Sequence, residues 1–192
     1  MNLGILGGTF NPPHNGHLIV AECVRERLGL ERILFVPSEI SPHKQHADPV
    51  SSRDRLEMVK LAIRGNSAFG FSDVEITRGG VSYTVETLQD LENIHPLARF
   101  YLLIGMDNLA EFHSWKDPGR LLELAEVIVM SRPEFTMTGV DPSIKGRVTM
   151  CEVPDIGISS REIRRRVKEG KSIRYLVPET VEAYIRAHRL YL

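Results

Sequence analysis

A chain of 192 residues is long enough for one sizeable core and too short for two, so a single domain spanning 1–192 is the expectation. Its 24 Lys and Arg against 25 Asp and Glu leave a formal net charge of -1; no global basic field exists to recruit nucleic acid, and any anion site must be local. The two cysteines, Cys23 and Cys151, sit in apolar stretches without metal-ligand or disulfide spacing, and no run approaches ~18 apolar residues. Buried free thiols, no membrane partner and a cytoplasmic location are therefore expected.

Residues 2–7 (NLGILG) are short, apolar and end in glycine, and HNGHLIVAECVRERLGL follows with helical spacing at Leu18, Val20, Ala21, Val24 and Leu28. This pattern predicts a strand, a glycine turn and a helix. RILFVPS, almost wholly apolar and stopped by Pro37, suits a parallel strand covered on both faces. Residues 38–50 are polar with two prolines, hence a loop long enough to be functional. SSRDRLEMVKLAIRGN opens on a serine cap and closes near Gly65 as a second helix. The segment FGFSDVEITRGGVSY reads as a strand ending in a Gly-Gly turn, with Ser82 placed to cap the helix YTVETLQDLENI.

FYLLIG is another buried strand, followed by a helix from about Asp107; VIVMSRP is a further strand, and RVTMCEV the last. Two helices complete the chain: SSREIRRRVKEG, capped by serine and stopped by Gly170, and PETVEAYIRAHRL, with Pro178 at its first turn. Strands and helices alternate almost throughout. The fold class expected is α/β: a Rossmann-like, doubly wound, mostly parallel sheet flanked by helices, with right-handed crossovers and C-terminal helices.

In such sheets ligands bind beyond the carboxyl ends of the strands, which directs attention to the turn after the first strand. It reads Gly7-Gly8-Thr9-Phe10-Asn11-Pro12-Pro13-His14-Asn15-Gly16-His17. Gly7 and Gly8 let the backbone approach a ligand, and a helix starting near His14 aims free amides and a positive dipole end at it, so phosphate is the natural guest. His14 and His17, three apart, project toward the same phosphates and can donate to oxygens whose charge grows during transfer. The alternatives are a capped turn whose histidines satisfy backbone groups, or a metal pair. The turn matches neither GxGxxG nor the P-loop, which counts against dinucleotide reduction and ordinary NTP hydrolysis. Farther along, Ser159 and Ser160 at a helix start, with Arg164 one turn later, form a second anion clamp. Arg165, Arg166 and Lys168 read as a solvated face.

The sequence His14-Asn15-Gly16-His17 closely resembles the HxGH signature of a nucleotidyltransferase superfamily, and Ile158-Ser159-Ser160-Arg161-Glu162-Ile163-Arg164 resembles its ISSTxIR signature. Asn11 stands where the family commonly has Asp, and Arg161 where it has Thr. Over almost the whole chain the resemblance narrows to bacterial nicotinate-mononucleotide adenylyltransferases. It is carried by Pro42-His43-Lys44, Ser82-Tyr83-Thr84, Gly105-Met106-Asp107, Trp115, Ser131-Arg132-Pro133 and the ending YLVPETVEAYIRAHRLY.

The resemblance implies adenylyl transfer from ATP to nicotinate mononucleotide in NAD biosynthesis, giving nicotinate adenine dinucleotide and pyrophosphate. It implies ATP contacts from Gly7, Gly8, Thr9, Phe10, His14, His17, Ser159, Ser160 and Arg164. The catalytic set is His14, His17, Lys44 and Arg164, and the acceptor contacts are Lys44, Tyr83, Thr84, Asp107, Trp115 and Arg132. The pyridine ring would stack on Trp115, its carboxylate would meet amides near Tyr83 and Thr84, and Asp107 would orient ribose or nearby polar groups. Physical chemistry agrees in part, since an aromatic face binds a flat heterocycle and a helix start prefers a carboxylate over a neutral amide. Packing for Trp115 and helix capping for Asp107 remain alternative roles. Mg²⁺ is expected on the ATP phosphates rather than in a dedicated protein cage, and homo-oligomerisation is left open. Competing readings are phosphopantetheine or nicotinamide-mononucleotide adenylyl transfer, and a nucleotide sensor without turnover.

Overall fold

A computed structural model of the protein describes residues 1–42, 50–131, 144 and 146–192. Six strands form one all-parallel sheet: β1 (Asn2–Gly8), β2 (Arg32–Pro37), β3 (Phe69–Phe71), β4 (Arg99–Gly105), β5 (Ala125–Ser131) and β6 (Val148–Glu152), in the order β3-β2-β1-β4-β5-β6. The chain winds outward from β1 in one direction and then from β4 in the other. The order therefore reverses between β1 and β4, which is the switch point of a doubly wound sheet.

Both faces are covered, which is why the strands read as continuous apolar runs rather than alternating ones. Leu3 and Ile5 of β1 pack with Leu102 and Ile104 of β4 and with Val85, Leu88 and Leu91 of α4 (Thr84–Ile94). On the other face Leu6, Ile33 and Phe35 meet Ala21 and Val24 of α1 (Asn15–Leu28) and Val59 of α2 (Ser52–Ala62). Gly4 lies among these side chains because a Cβ there would fall 2.4 Å from Ile33 Cδ1. Beyond α5 (Met106–Glu111) and α6 (Pro118–Leu124), a third cluster joins Met58 and Ala62 of α2 to Ile163 of α7 (Ser160–Lys168) and to Val181 and Ile185 of α8 (Glu179–Ala187). It fastens the C-terminal helices beside the sheet. No described helix is long and apolar enough to cross a membrane.

Several local expectations need correction. The segment read as one strand to a Gly-Gly turn gives only three residues to β3 and then becomes a short helix, α3 (Val74–Arg78). Its β-branched residues favour a strand, but Glu75 is drawn inward, where the Thr87 hydroxyl donates to its Oε1 at 2.6 Å; this tertiary contact overrides local propensity. Ser82 does not cap α4, whose N-cap is Tyr83. Its hydroxyl instead accepts from the Glu39 amide at 2.9 Å, and its own amide donates to the Ile40 carbonyl at 2.9 Å. Of the two free thiols Cys151 is buried and Cys23 only half-buried. Serine caps at Ser51 and Ser159 are present as read, accepting from the amides of Asp54 and Glu162.

Candidate active site

The pairing register explains where the sheet opens. β1 and β4 pair from Asn2 and Arg99 only as far as Ile5 and Leu102, whereas β1 stays paired to β2 through Gly8 and β4 to β5 through Gly105. The last turns of the two central strands thus part company at the switch point, and a crevice opens at their carboxyl ends. Two cavities flank it. One, of about 520 Å³, is lined by Leu6, His14, Gly16, His17, Gly105 and Asp107, with Val153–Ile158 across from them. The other, of about 300 Å³, is lined by Gly7, Gly8, Thr9, Ser38, Tyr83, Thr84 and Trp115 over a floor of Ile5, Val36 and Leu102.

The first cavity is built around two histidines. His14 is the N-cap of α1, and its backbone N–H donates to His17 Nδ1 at 3.2 Å. A backbone N–H can only donate, so His17 Nδ1 carries no proton and the neutral ring bears its proton on Nε2. The two rings stack, with centroids 3.6 Å apart and planes 19° from parallel. Burial pushes the His14 pKa down to about 4, and burial followed by repulsion from His14 pushes that of His17 down to about 3. Both are neutral hydrogen-bond donors at pH 7. Gly16 makes this stacking possible, because a Cβ there would lie 3.1 Å from His14 Nδ1 and 3.2 Å from Ile156 Cγ2. Phe10, in the left-handed region at φ 48°, turns its ring under the site, edge-on to His17 at 5.1 Å and buried against Phe35. Phe10 can therefore offer a ligand only backbone.

The serine-capped start of α7, read from the sequence as a second anion clamp, is hydrogen-bonded directly to the histidine turn. The Ser160 hydroxyl donates to the Pro12 carbonyl at 2.8 Å, and Arg164 Nη1 donates to the Asn11 carbonyl at 2.7 Å. Ser159 caps α7, and neighbouring Ile158 lines the histidine cavity. The two segments, about 150 residues apart in sequence, thus abut in space. Asn11 Oδ1 accepts from the Tyr191 hydroxyl at 2.5 Å, which ties the C-terminal segment to the turn. One expectation fails here. The first helical amide of α1, at Asn15, is not free for a ligand but donates to the Leu176 carbonyl at 2.9 Å, closing the C-terminal segment against the turn.

Gly7, Gly8 and Thr9 edge the second cavity, and Tyr83, Thr84 and Trp115 form its outer wall. Trp115 is half-buried, 5.3 Å from Phe112, with its Nε1 lacking a hydrogen-bond partner among the described residues. Asp107 is exposed and lines the histidine cavity rather than the Trp115 cavity. Lys44 and Arg132, with His43, lie outside the described residues. The described residues include no group of three or more His, Cys, Asp or Glu disposed to hold a metal ion.

Sequence reasoning missed Arg55. This guanidinium is fully buried; Nη1 donates to the Thr9 carbonyl at 2.7 Å and Nη2 to the Glu39 carbonyl at 3.0 Å. It thereby fixes the turn after β1 to the segment after β2. A signal was available, since Arg55 shares the i, i+4, i+7 stripe of α2 with Val59 and Ala62, and a charged residue on a core stripe needs partners.

A parallel switch-point sheet whose first turn presents stacked histidines, with a serine-capped helix fastened behind it, defines a nucleotidyltransferase, and residues 5–166 match the cytidylyltransferase-like family. Within that class the chain belongs to the nicotinate-nucleotide adenylyltransferase family. It is 43% identical to the probable nicotinate-nucleotide adenylyltransferase of Salinibacter ruber, over 100% of this chain and 98% of that protein. It is 42% identical to the one from Geotalea daltonii, again over 100% and 98%. The same fold occurs in Plasmodium falciparum nicotinic acid mononucleotide adenylyltransferase complexed with NaAD, with a TM-score of 0.79 at 21% identity over 99% of this chain and 97% of that one.

Proposed function

We propose that the protein transfers the adenylyl group of ATP to nicotinate mononucleotide, releasing nicotinate adenine dinucleotide and pyrophosphate in NAD biosynthesis. The observation that carries this reading is the crevice itself. Two cavities of different character flank the point where β1 and β4 separate, an arrangement that suits two substrates whose phosphates converge on one turn.

ATP, arriving with Mg²⁺ on its phosphates, takes the histidine cavity; the acceptor takes the cavity walled by Trp115, Tyr83 and Thr84. A 5′-phosphate oxygen of the acceptor attacks the α-phosphorus in line, the new P–O bond forms, and the bond to the β-phosphate breaks with its electron pair leaving on pyrophosphate. The attacking phosphate is already anionic, so neither a protein nucleophile nor a general base is needed, and catalysis reduces to positioning and charge stabilisation. Neutral His17 supplies its Nε2–H to oxygens that gain charge, His14 holds it in place, and Arg164 braces the turn while presenting its remaining N–H groups. Lys44 is assigned to the acceptor phosphate and Arg132 to the acceptor side.

The α4 start at Tyr83 has no side-chain cap, leaving its first-turn amides and dipole for the acceptor's carboxylate. The test is pyrophosphate release from ATP and Mg²⁺ with nicotinate mononucleotide, nicotinamide mononucleotide and phosphopantetheine in turn. Release fastest with the nicotinate form is expected. Release only with phosphopantetheine, or ATP binding without release, would contradict the assignment.

A further inference from the structure

The first-turn amides of α4 are not the only groups that an anionic ring would meet in the acceptor cavity, because one carboxylate lines it and a second stands beside those amides. Glu75 is buried in the cavity wall, and Glu86 stands in the first turn of α4 next to the amides assigned to the acceptor's acid group. Left uncompensated, both would repel a carboxylate and leave an amide untouched. Arg78 lies 3.7 Å from Glu86, but its guanidinium runs on to Asp90 and Thr87 and lines a separate surface hollow with Asp73 and Asn93. Among the described residues, Lys116 is the cation that lines the cavity. It follows Trp115, lines the same cavity, and holds its ammonium 4.4 Å from the Tyr83 ring centroid and 2.5 Å from Glu86 Oε1. An ammonium bridging an aromatic face and a carboxylate is confined to that rim, at the gap between the Trp115 corner and the start of α4.

We propose that Lys116 is a specificity-determining residue whose charge offsets Glu75 and Glu86 and tilts acceptor choice toward the acid form of the pyridine ring. This rests on the acceptor assignment made under Proposed function. Lys116 is about half exposed, so solvent screens it and the effect is modest, on the order of fivefold.

The experiment compares kcat/KM for nicotinate and nicotinamide mononucleotide in the wild type and in Lys116→Gln, Lys116→Arg and Glu86→Gln. The acid-to-amide ratio should fall about fivefold in Lys116→Gln, hold in Lys116→Arg, which keeps the charge, and rise in Glu86→Gln, which frees the ammonium. A ratio unchanged in Lys116→Gln, or one lowered as much in Lys116→Arg, overturns the proposal and shows Lys116 to be packing alone. Wild-type protein that uses neither acceptor would overturn the underlying assignment instead, before any variant is compared.

Discussion

The two cavities reach their chemistry by opposite routes. The histidine turn of the proposed donor side is local and its rings uncharged: four consecutive residues, His14 to His17, place two stacked, neutral rings against the crevice, their geometry set by one backbone hydrogen bond and one glycine. The acceptor side is dispersed and charged, assembled from the ends of β1 and β2, the start of α4 and the Trp115 corner, with Arg55 behind it and Lys116 at its rim. Neutral preorganised donors need little reorganisation when a polyphosphate arrives, and they strengthen as charge develops. Charged rims act earlier, on which molecule enters. The contrast suggests that rate resides in the histidine turn and selectivity in the dispersed wall.

The sharpest way to break that division is His17→Ala. It removes a donor aimed at transition-state charge, so turnover should fall on the order of 10³-fold with the melting temperature almost unchanged. Steady-state pyrophosphate release alongside a thermal melt decides it, and turnover within threefold of wild type would refute the assigned role.

Arg55→Met should act on the other side. Stranding the part-buried carbonyls of Thr9 and Glu39 is expected to cost about 2–4 kcal/mol in urea unfolding, and to raise KM for the acceptor more than for ATP. Equal changes in the two KM values would show that Arg55 does not belong to the acceptor wall.

Gly16→Ala separates activity from stability. Alanine favours the helix, yet its Cβ crowds His14 and Ile156, so turnover should drop about tenfold with stability kept or slightly raised. A fully active variant would mean that the histidine stack is not set from below.

Stability itself should depend on pH through the same turn. Folding keeps His14 neutral down to about pH 4, while in the unfolded chain it protonates near its ordinary value of about 6.5. Below that value the unfolded state binds more protons, so stability falls as pH drops from about 6.5 toward 4. His14→Asn should remove about 2 kcal/mol of the loss between pH 7 and pH 5, read from urea midpoints. A variant losing as much as wild type would place His14 in a more solvated setting than the structure does.

How much could be read beforehand follows the same contrast. Strand and helix alternation, the serine caps of α2 and α7, and the histidine turn are written in contiguous residues, where glycine, proline and apolar period act over a few positions. The meeting of the two phosphate elements depended on hydrogen bonds from Ser160 and Arg164 to Pro12 and Asn11, which no local pattern encodes. Ser82 departs from its local pattern for the same reason: a serine before a helix is a good cap, but here its hydroxyl is claimed by an amide 43 positions away. α3 reads as strand in the sequence because the network of Glu75, Thr87 and Arg78 requires α4 to be in place. The Asn15 amide, expected to be open, is closed by Leu176 from the far end of the chain.

The central claim is that two substrates held at one crevice react with each other directly. It is tested most directly with the Sp diastereomer of adenosine 5′-(1-thiotriphosphate) as donor, by determining the configuration at the transferred phosphorus in the dinucleotide product. One in-line displacement gives inversion, the expected result. Retention would require two displacements through an adenylylated side chain, and would contradict catalysis by juxtaposition and charge alone.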